Sequence, residues 1–373
     1  LGVLFWFLSR VAGERPQFPT QGILEDDAAR TTARSALRYA VLGAFFAAGF
    51  AGLALELAWT RFLVYFLEGF TIAFGLMLAA YLLGLGSGAL VGTPLALRSA
   101  NPRRLLGRII LVQAVFSISS VFWGGIDGLR LEEMRAGYVE AEAIDFGYGT
   151  SLFMAAFWTV FPATFCAGML LPAVARMALI DREAIGRHSG VVYAASTLGA
   201  VLAPPVAGFL LLPSFGVVRT IAILAFVIFA AGAVISVRRR VADWAPVGVA
   251  LLFLLGGYMV ADPGRPLVER SHVFENAREP KRLISYSPGH LSDVSVVEEV
   301  AHGTRRLYLD GFSAAETGRN YGYMRMLGHL PVLLHPEPRQ VCVIAFGTGT
   351  TAGAVSLHPE VERLVCVEIE PEV

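Results

Sequence analysis

The chain has 373 residues, 55% of them apolar and 16% charged, with a mean hydropathy of +0.60. A soluble domain carries roughly a quarter charged residues, so this composition is that of a membrane protein, with the lipid bilayer as its first partner. Thirty basic residues balance thirty acidic ones, and no Lys/Arg stripe of the kind a phosphate backbone requires is present, which excludes nucleic acid as a partner.

The first segment, 1–36, opens without Met on Leu1-Gly2-Val3-Leu4-Phe5-Trp6-Phe7-Leu8 and continues as a polar loop. The apolar run is too short to cross a bilayer and lacks a signal peptide's cleavage site. Both ends of the chain read as cut, and the sequence is expected to be a fragment.

A transmembrane domain is expected over 37–261. Seven stretches approach the roughly 20 apolar residues that a helical crossing needs: 37–59, 70–97, 105–126, 149–175, 189–212, 216–237 and 244–261, the last only just long enough. Gly84, Gly88 and Gly92 form a doubled small-xxx-small pattern that lets backbones approach closely. Such glycine-rich faces serve packing between helices, or contact with other membrane subunits or a second copy in a homo-oligomer. Pro204-Pro205 interrupts the fifth stretch, and Pro162 and Pro172 the fourth. A broken membrane helix marks either a substrate cavity or a kink satisfied by its neighbours. Glu56 and Arg61, in the run Glu56-Leu57-Ala58-Trp59-Thr60-Arg61, form either a ligand or proton site or an interfacial brace beside a Trp anchor. Their five-residue spacing is poor for a pair within one helix, so partners on other elements are expected.

Arginines follow the even-numbered stretches: Arg98, Arg103 and Arg104, then Arg176, Arg182 and Arg187, then Arg238-Arg239-Arg240. The loop 127–148 is acidic. The positive-inside rule then puts the even-numbered ends in the cytoplasm of a multi-pass protein of the cell (inner or plasma) membrane. On that count the seventh stretch delivers the C-terminal part outside, but Arg265, Arg270, Arg278, Lys281 and Arg282 follow it, so the side of the C-terminal domain stays open.

No metal is expected. Cys166, Cys342 and Cys366 lie far apart with no CxxC, and no two of the seven histidines stand at i,i+3 or i,i+4.

After Asp262-Pro263-Gly264 the pattern changes. A linker and small β-domain are expected over 262–320, with a hairpin of 293–298 and 306–309 around His302-Gly303. A helix pattern covers 321–334. A buried-strand run at 340–346, a Gly-rich turn, a helix over 350–357 and a second buried strand at 363–369 follow. Strand, Gly-rich turn, helix, strand is the opening of a doubly wound α/β domain. Gly347 and Gly349 let the chain turn sharply and let backbone approach a ligand. Glu368 ends the next strand, 19 residues after Gly349, where a carboxylate can accept from two ribose hydroxyls. The alternative is a turn kept for packing alone.

From Asp293 through Leu309-Asp310-Gly311, Tyr323, His329-Leu330-Pro331 and the glycine turn to Val367-Glu368-Ile369-Glu370, the chain resembles the spermidine synthase family of aminopropyltransferases. That family shares the S-adenosylmethionine-dependent methyltransferase fold. The runs Ala54–Arg61, Leu83–Gly88 and Tyr193–Ala200 are similar to the multi-spanning region of membrane-fused spermidine synthase-like proteins. The resemblance implies a multi-spanning α-helical membrane bundle, then a small β-hairpin domain and, from 321 to 373, the start of a Rossmann-like α/β domain. It further implies S-adenosylmethionine or decarboxylated S-adenosylmethionine as cofactor, with Gly347, Thr348, Gly349, Glu368, His329 and Tyr323 as binding residues. The family's catalytic aspartate would lie beyond Val373, so no catalytic residue is assigned.

The departures from the family pattern bear on activity. Thr348 stands where the family's glycine loop has an aspartate for the reacting aminopropyl amine, and Ala314 where it has a glutamine. Arg319-Asn320 replaces an acidic pair, and Met324 a histidine. A polyamine site needs carboxylates, so true spermidine synthesis is not expected. Three functions stay open: an aminopropyltransferase-like or methyltransferase-like enzyme, a non-catalytic scaffold subunit of a membrane complex, and a transporter-like protein.

Overall fold

A computed structural model describes residues 27–67, 70–139, 146–178, 185–236, 244–261, 267–271, 280–318 and 321–373. The chain divides into two units, Leu1–Tyr39 and Ala40–Val373. In the first, the described residues, from Asp27 on, are helical.

The second unit is helical up to Ala261 and then turns to mixed structure. Its helices are α1 (Asp27–Val64), which begins in the first unit, α2 (Phe70–Arg98), α3 (Pro102–Val139), α4 (Phe146–Gly168), α5 (Leu170–Ala178), α6 (Ile185–Val206), α7 (Leu212–Ser236) and α8 (Ala245–Ala261). Among the described residues five helical runs are long and apolar enough to cross a membrane: Tyr39–Val64, Thr71–Arg98, Pro102–Phe122, Gly149–Arg176 and Gly190–Ser236, with Ala245–Met259 as a shorter apolar helix. Residues 127–139, read as loop, continue α3 instead; 140–145 lie outside the described residues.

The 47-residue run Gly190–Ser236 takes in two of the seven predicted stretches, and the glycine contacts show that it doubles back. Gly199 lies against Phe46 and Phe50 of α1, and a Cβ on Gly208, just past α6, would lie 3.6 Å from Leu57, so α6 runs parallel to α1. Beyond the turn, Gly232 abuts Ile110 and Leu111, and Ser236 lies against Gly107 near the start of α3. The reversal sits at Gly216, whose φ of 73° is open to glycine and costly for other residues. Pro204 and Pro205 are followed by a π-helical turn, Ala207–Leu211. Prolines donate no N–H to the preceding turn, and a widened turn absorbs the loss.

The glycine stripe packs inside the chain. A Cβ on Gly84 or Gly88 would collide with Thr164 or the Phe165 carbonyl, and one on Gly92 would lie 2.8 Å from Met169. Gly168 answers from α4 against Leu85 and Ala89. These three glycines are therefore packed against the end of α4 and Met169, which follows it. Trp59, fully buried, donates its indole N–H to Ser120 at 2.9 Å and joins α1 to α3.

The C-terminal region begins with an antiparallel sheet in the order β1 (Lys281–Pro288), β2 (Asp293–Glu299), β3 (Thr304–Leu309) and β4 (Phe312–Glu316). The hairpin around Gly303 is as expected, whereas β1 and β4 had no reading as strands. Asp310 and Gly311 both have positive φ, 48° and 82°. This is the type I′ geometry that matches strand twist in a two-residue hairpin loop. Val294, Leu307 and Ala315 form the core of the sheet, and Met324 and Val373 pack against it. Next come α9 (Tyr321–Leu334), β5 (Gln340–Ile344), α10 (Thr350–Ser356) and β6 (Arg363–Val367). β5 and β6 are parallel, with Ile344 opposite Val367, and Val332, Val343 and Val355 form a core that ties α9 and α10 to them.

Candidate functional site

Parallel pairing of β5 and β6 brings their carboxyl ends side by side, the edge at which open α/β sheets bind ligands. Ala345 leaves β5 with its N–H on the Val367 carbonyl at 2.8 Å. The turn then runs through three left-handed residues, Ala345 (φ 72°), Gly347 (57°) and Gly349 (72°). Glycine is needed at 349 for a second reason, because a Cβ there would stand 2.8 Å from the Phe346 ring.

Glu368 comes directly after β6 and reaches this turn. Its Oε2 accepts from the N–H of Phe346 at 2.7 Å and of Gly347 at 3.4 Å; Oε1 accepts from Ile369 at 2.9 Å and Glu370 at 3.1 Å. Donation from the amide of Glu370, and from those of Phe346, Gly347 and Ile369, holds its carboxyl below the usual range, since these bonds favour the charged form. The carboxylate is thus anionic and ties the end of β6 to the glycine turn.

The other predicted site residues are placed differently. Thr348 is exposed, its hydroxyl 2.8 Å from that of Thr350. Tyr323 is exposed near the start of α9, and the carbonyl of its neighbour Met324 accepts from the Thr351 hydroxyl at 3.0 Å, which sets α9 beside the start of α10. His329 does not join the turn. Its Nδ1 lies 2.9 Å from Nε2 of His358, beyond the far end of α10, and that seven-residue helix is about 10 Å long. Arg319 and Asn320 lie outside the described residues. Among the described residues no group of three or more His, Cys, Asp or Glu could hold a metal ion.

A second cluster, missed in the sequence, adjoins the turn through Glu370. Asp293, Asp310 and Glu370 gather around Arg61 in the last turn of α1, Tyr65 in the turn just after it, and Tyr286 from β1. Tyr65 and Tyr286 donate to Asp293 Oδ2 at 3.1 and 2.8 Å, and the Asp293 amide donates to Asp310 Oδ1 at 2.7 Å. Burial pushes the Asp310 carboxyl up to about 7, against the lowering field of Arg61. Burial also raises Asp293, again opposed by Arg61. Arg61 and the Leu-Asp-Gly run both stood out in the sequence. Nothing in either named the other, because their partners lie more than two hundred residues apart.

A family model described as the spermine/spermidine synthase domain matches residues 320–373, the segment that carries α9, the glycine turn and Glu368. A polyamine aminopropyltransferase of Mycobacterium tuberculosis is 28% identical over 345 residues, 90% of this chain and 61% of that relative. The chain is spermidine synthase-like. Two further polyamine aminopropyltransferases, of Clostridium tetani and Aquifex aeolicus, are each 38% identical over 81 residues, 22% of this chain and 28% and 29% of theirs. The spermidine synthase-like chain thus spans 61% of the length of the mycobacterial relatives it matches, and the 90% of this chain that is matched takes in its apolar helices. No solved structure matches.

Proposed function

We propose that this is an integral membrane protein whose C-terminal domain begins a Rossmann-like fold for an adenosyl nucleoside of the adenosylmethionine type. The observation that carries this reading is the Glu368 carboxylate, held anionic beside the glycine turn at the carboxyl ends of two parallel strands. Ribose hydroxyls would donate to this carboxylate. The apolar helical runs support the membrane reading by length and composition.

The transfer of an aminopropyl group to putrescine is not part of the proposal. Thr348 offers a neutral hydroxyl where a cationic aminopropyl group needs an anion. Calorimetry on the full chain in detergent tests the reading: 5′-methylthioadenosine or decarboxylated adenosylmethionine binds, and Glu368→Ala abolishes the heat. Absence of binding to the unaltered chain would overturn it.

A scaffold role is the second reading, and one observation favours it. Arg61, which touches the C-terminal domain, ends α1, whereas Arg98, Arg103 and Arg104 lie at the opposite end of the helices. Positive-inside ordering would then put the domain away from the cytoplasmic donor supply. Transport has less support. The groove of about 520 Å³ between α3 and α4 is lined mainly by apolar side chains, including Phe116, Trp158, Phe161 and Met169.

A further inference from the structure

We propose that Arg61 and Tyr65, at the end of the first apolar helix, are positioning residues for the glycine turn, acting through the loop 289–293, Glu370 and Glu368.

Each link in that series is a short polar contact. Arg61 donates through both terminal nitrogens to the Gly289 carbonyl, each at 3.1 Å, and Tyr65 fixes the other end of the loop through Asp293. The loop amides of Leu291 and Ser292 donate to Glu370 Oε2 at 2.9 and 3.2 Å. The Glu370 amide then donates to Glu368 Oε1, whose second oxygen holds Phe346 and Gly347. Arg61, Asp293 and Glu370 are 4%, 0% and 3% exposed, so water cannot replace these partners at little cost. The contacts also leave no slack. A Cβ on Gly289 would lie 2.5 Å from the Glu370 carboxyl, and one on Gly311 3.0 Å from the Tyr65 ring. The helix end is thus packed against both the loop and the Asp310–Gly311 hairpin.

The charges favour the same arrangement. Asp293, Asp310 and Glu370 come together in a buried space, and burying carboxylates without a counter-charge is costly. Arg61 supplies that charge from the last turn of α1. Removing it leaves the acids facing one another, and Glu370, the acid that also bonds the loop, is the one connected to the turn.

The proposal rests on the nucleoside reading for its binding arm only. The test uses the full chain in lipid nanodiscs, unaltered and as Arg61→Gln, Arg61→Lys and Tyr65→Phe. Amide hydrogen exchange is followed at 289–293 and 345–349, with α2 and α4 as internal controls. Arg61→Gln should speed exchange about tenfold in both segments, the scale of one lost charge-assisted bond, and leave the controls unchanged. Tyr65→Phe should do so to a smaller extent, and Arg61→Lys should restore part of the protection. 5′-Methylthioadenosine should bind about tenfold more weakly to Arg61→Gln. Faster exchange at 289–293 with 345–349 unmoved would overturn the proposal and leave Arg61 a simple docking contact. If the unaltered chain binds no nucleoside, the functional reading fails, while the exchange at 345–349 still decides the positioning role.

Discussion

Tyr65 and Asp293 share a buried hydrogen bond of 3.1 Å across 228 positions of sequence. The acceptor is a carboxyl that burial pushes toward its neutral form, and the next acid, Asp310, is pushed up to about 7. An acid whose pKa is higher in the folded state than in the unfolded chain binds its proton more tightly when folded. Its contribution is complete below pH 4 and is lost as the pH rises through 7.

Stability of the C-terminal domain should therefore fall between pH 4 and 7, with Asp310 accounting for on the order of 4 kcal/mol. Thermal unfolding in detergent across that range checks it. Asp310→Asn, neutral at every pH, should flatten the slope.

Gly88→Ala should destabilise the helical region by about 1–3 kcal/mol, because the new methyl meets the Phe165 carbonyl. Gly86, two residues away, has nothing within 4 Å of the same position, and Gly86→Ala should be neutral or slightly stabilising. Melting temperatures of the two variants side by side separate a packing seam from a general preference for glycine.

Ala345→Gly should raise stability by up to about 1 kcal/mol. Ala345 holds φ at 72°, where an L-residue with a side chain is strained and glycine is not. Denaturant titration followed by near-UV dichroism measures the gain.

Incubation of the full chain with decarboxylated adenosylmethionine and putrescine should yield no spermidine by mass spectrometry. Thr348→Asp should not by itself create the activity, since Ala314 and Met324 also depart from the family pattern. Robust turnover by the unaltered chain would show that acids elsewhere replace the one missing at Thr348.

What the sequence revealed divides along physical lines. The helix over Tyr321–Leu334 and the parallel strands around the glycine turn were legible because periodicity and turn residues are local signals. The close approach at Gly84, Gly88 and Gly92 was legible from spacing, but the identity of the facing helix was not. β1 and β4 escaped notice because Lys281–Pro288 and Phe312–Glu316 show no clean alternation of polar and apolar residues. His329 had the right family position yet is held by His358. Arg61 was visible as an anomaly near a helix end, and its partner is a backbone carbonyl, which carries no sequence signature at all.

The span between Arg61 and Gly289 has a consequence for biosynthesis. Ribosomes add roughly 5–20 residues per second, so the 228 residues between the two take roughly 10 to 50 s to emerge. Throughout that interval α1 is already made while its arginine lacks the carbonyl that will receive it. A chain stopped short of Gly289 would leave the Arg61 guanidinium without that acceptor.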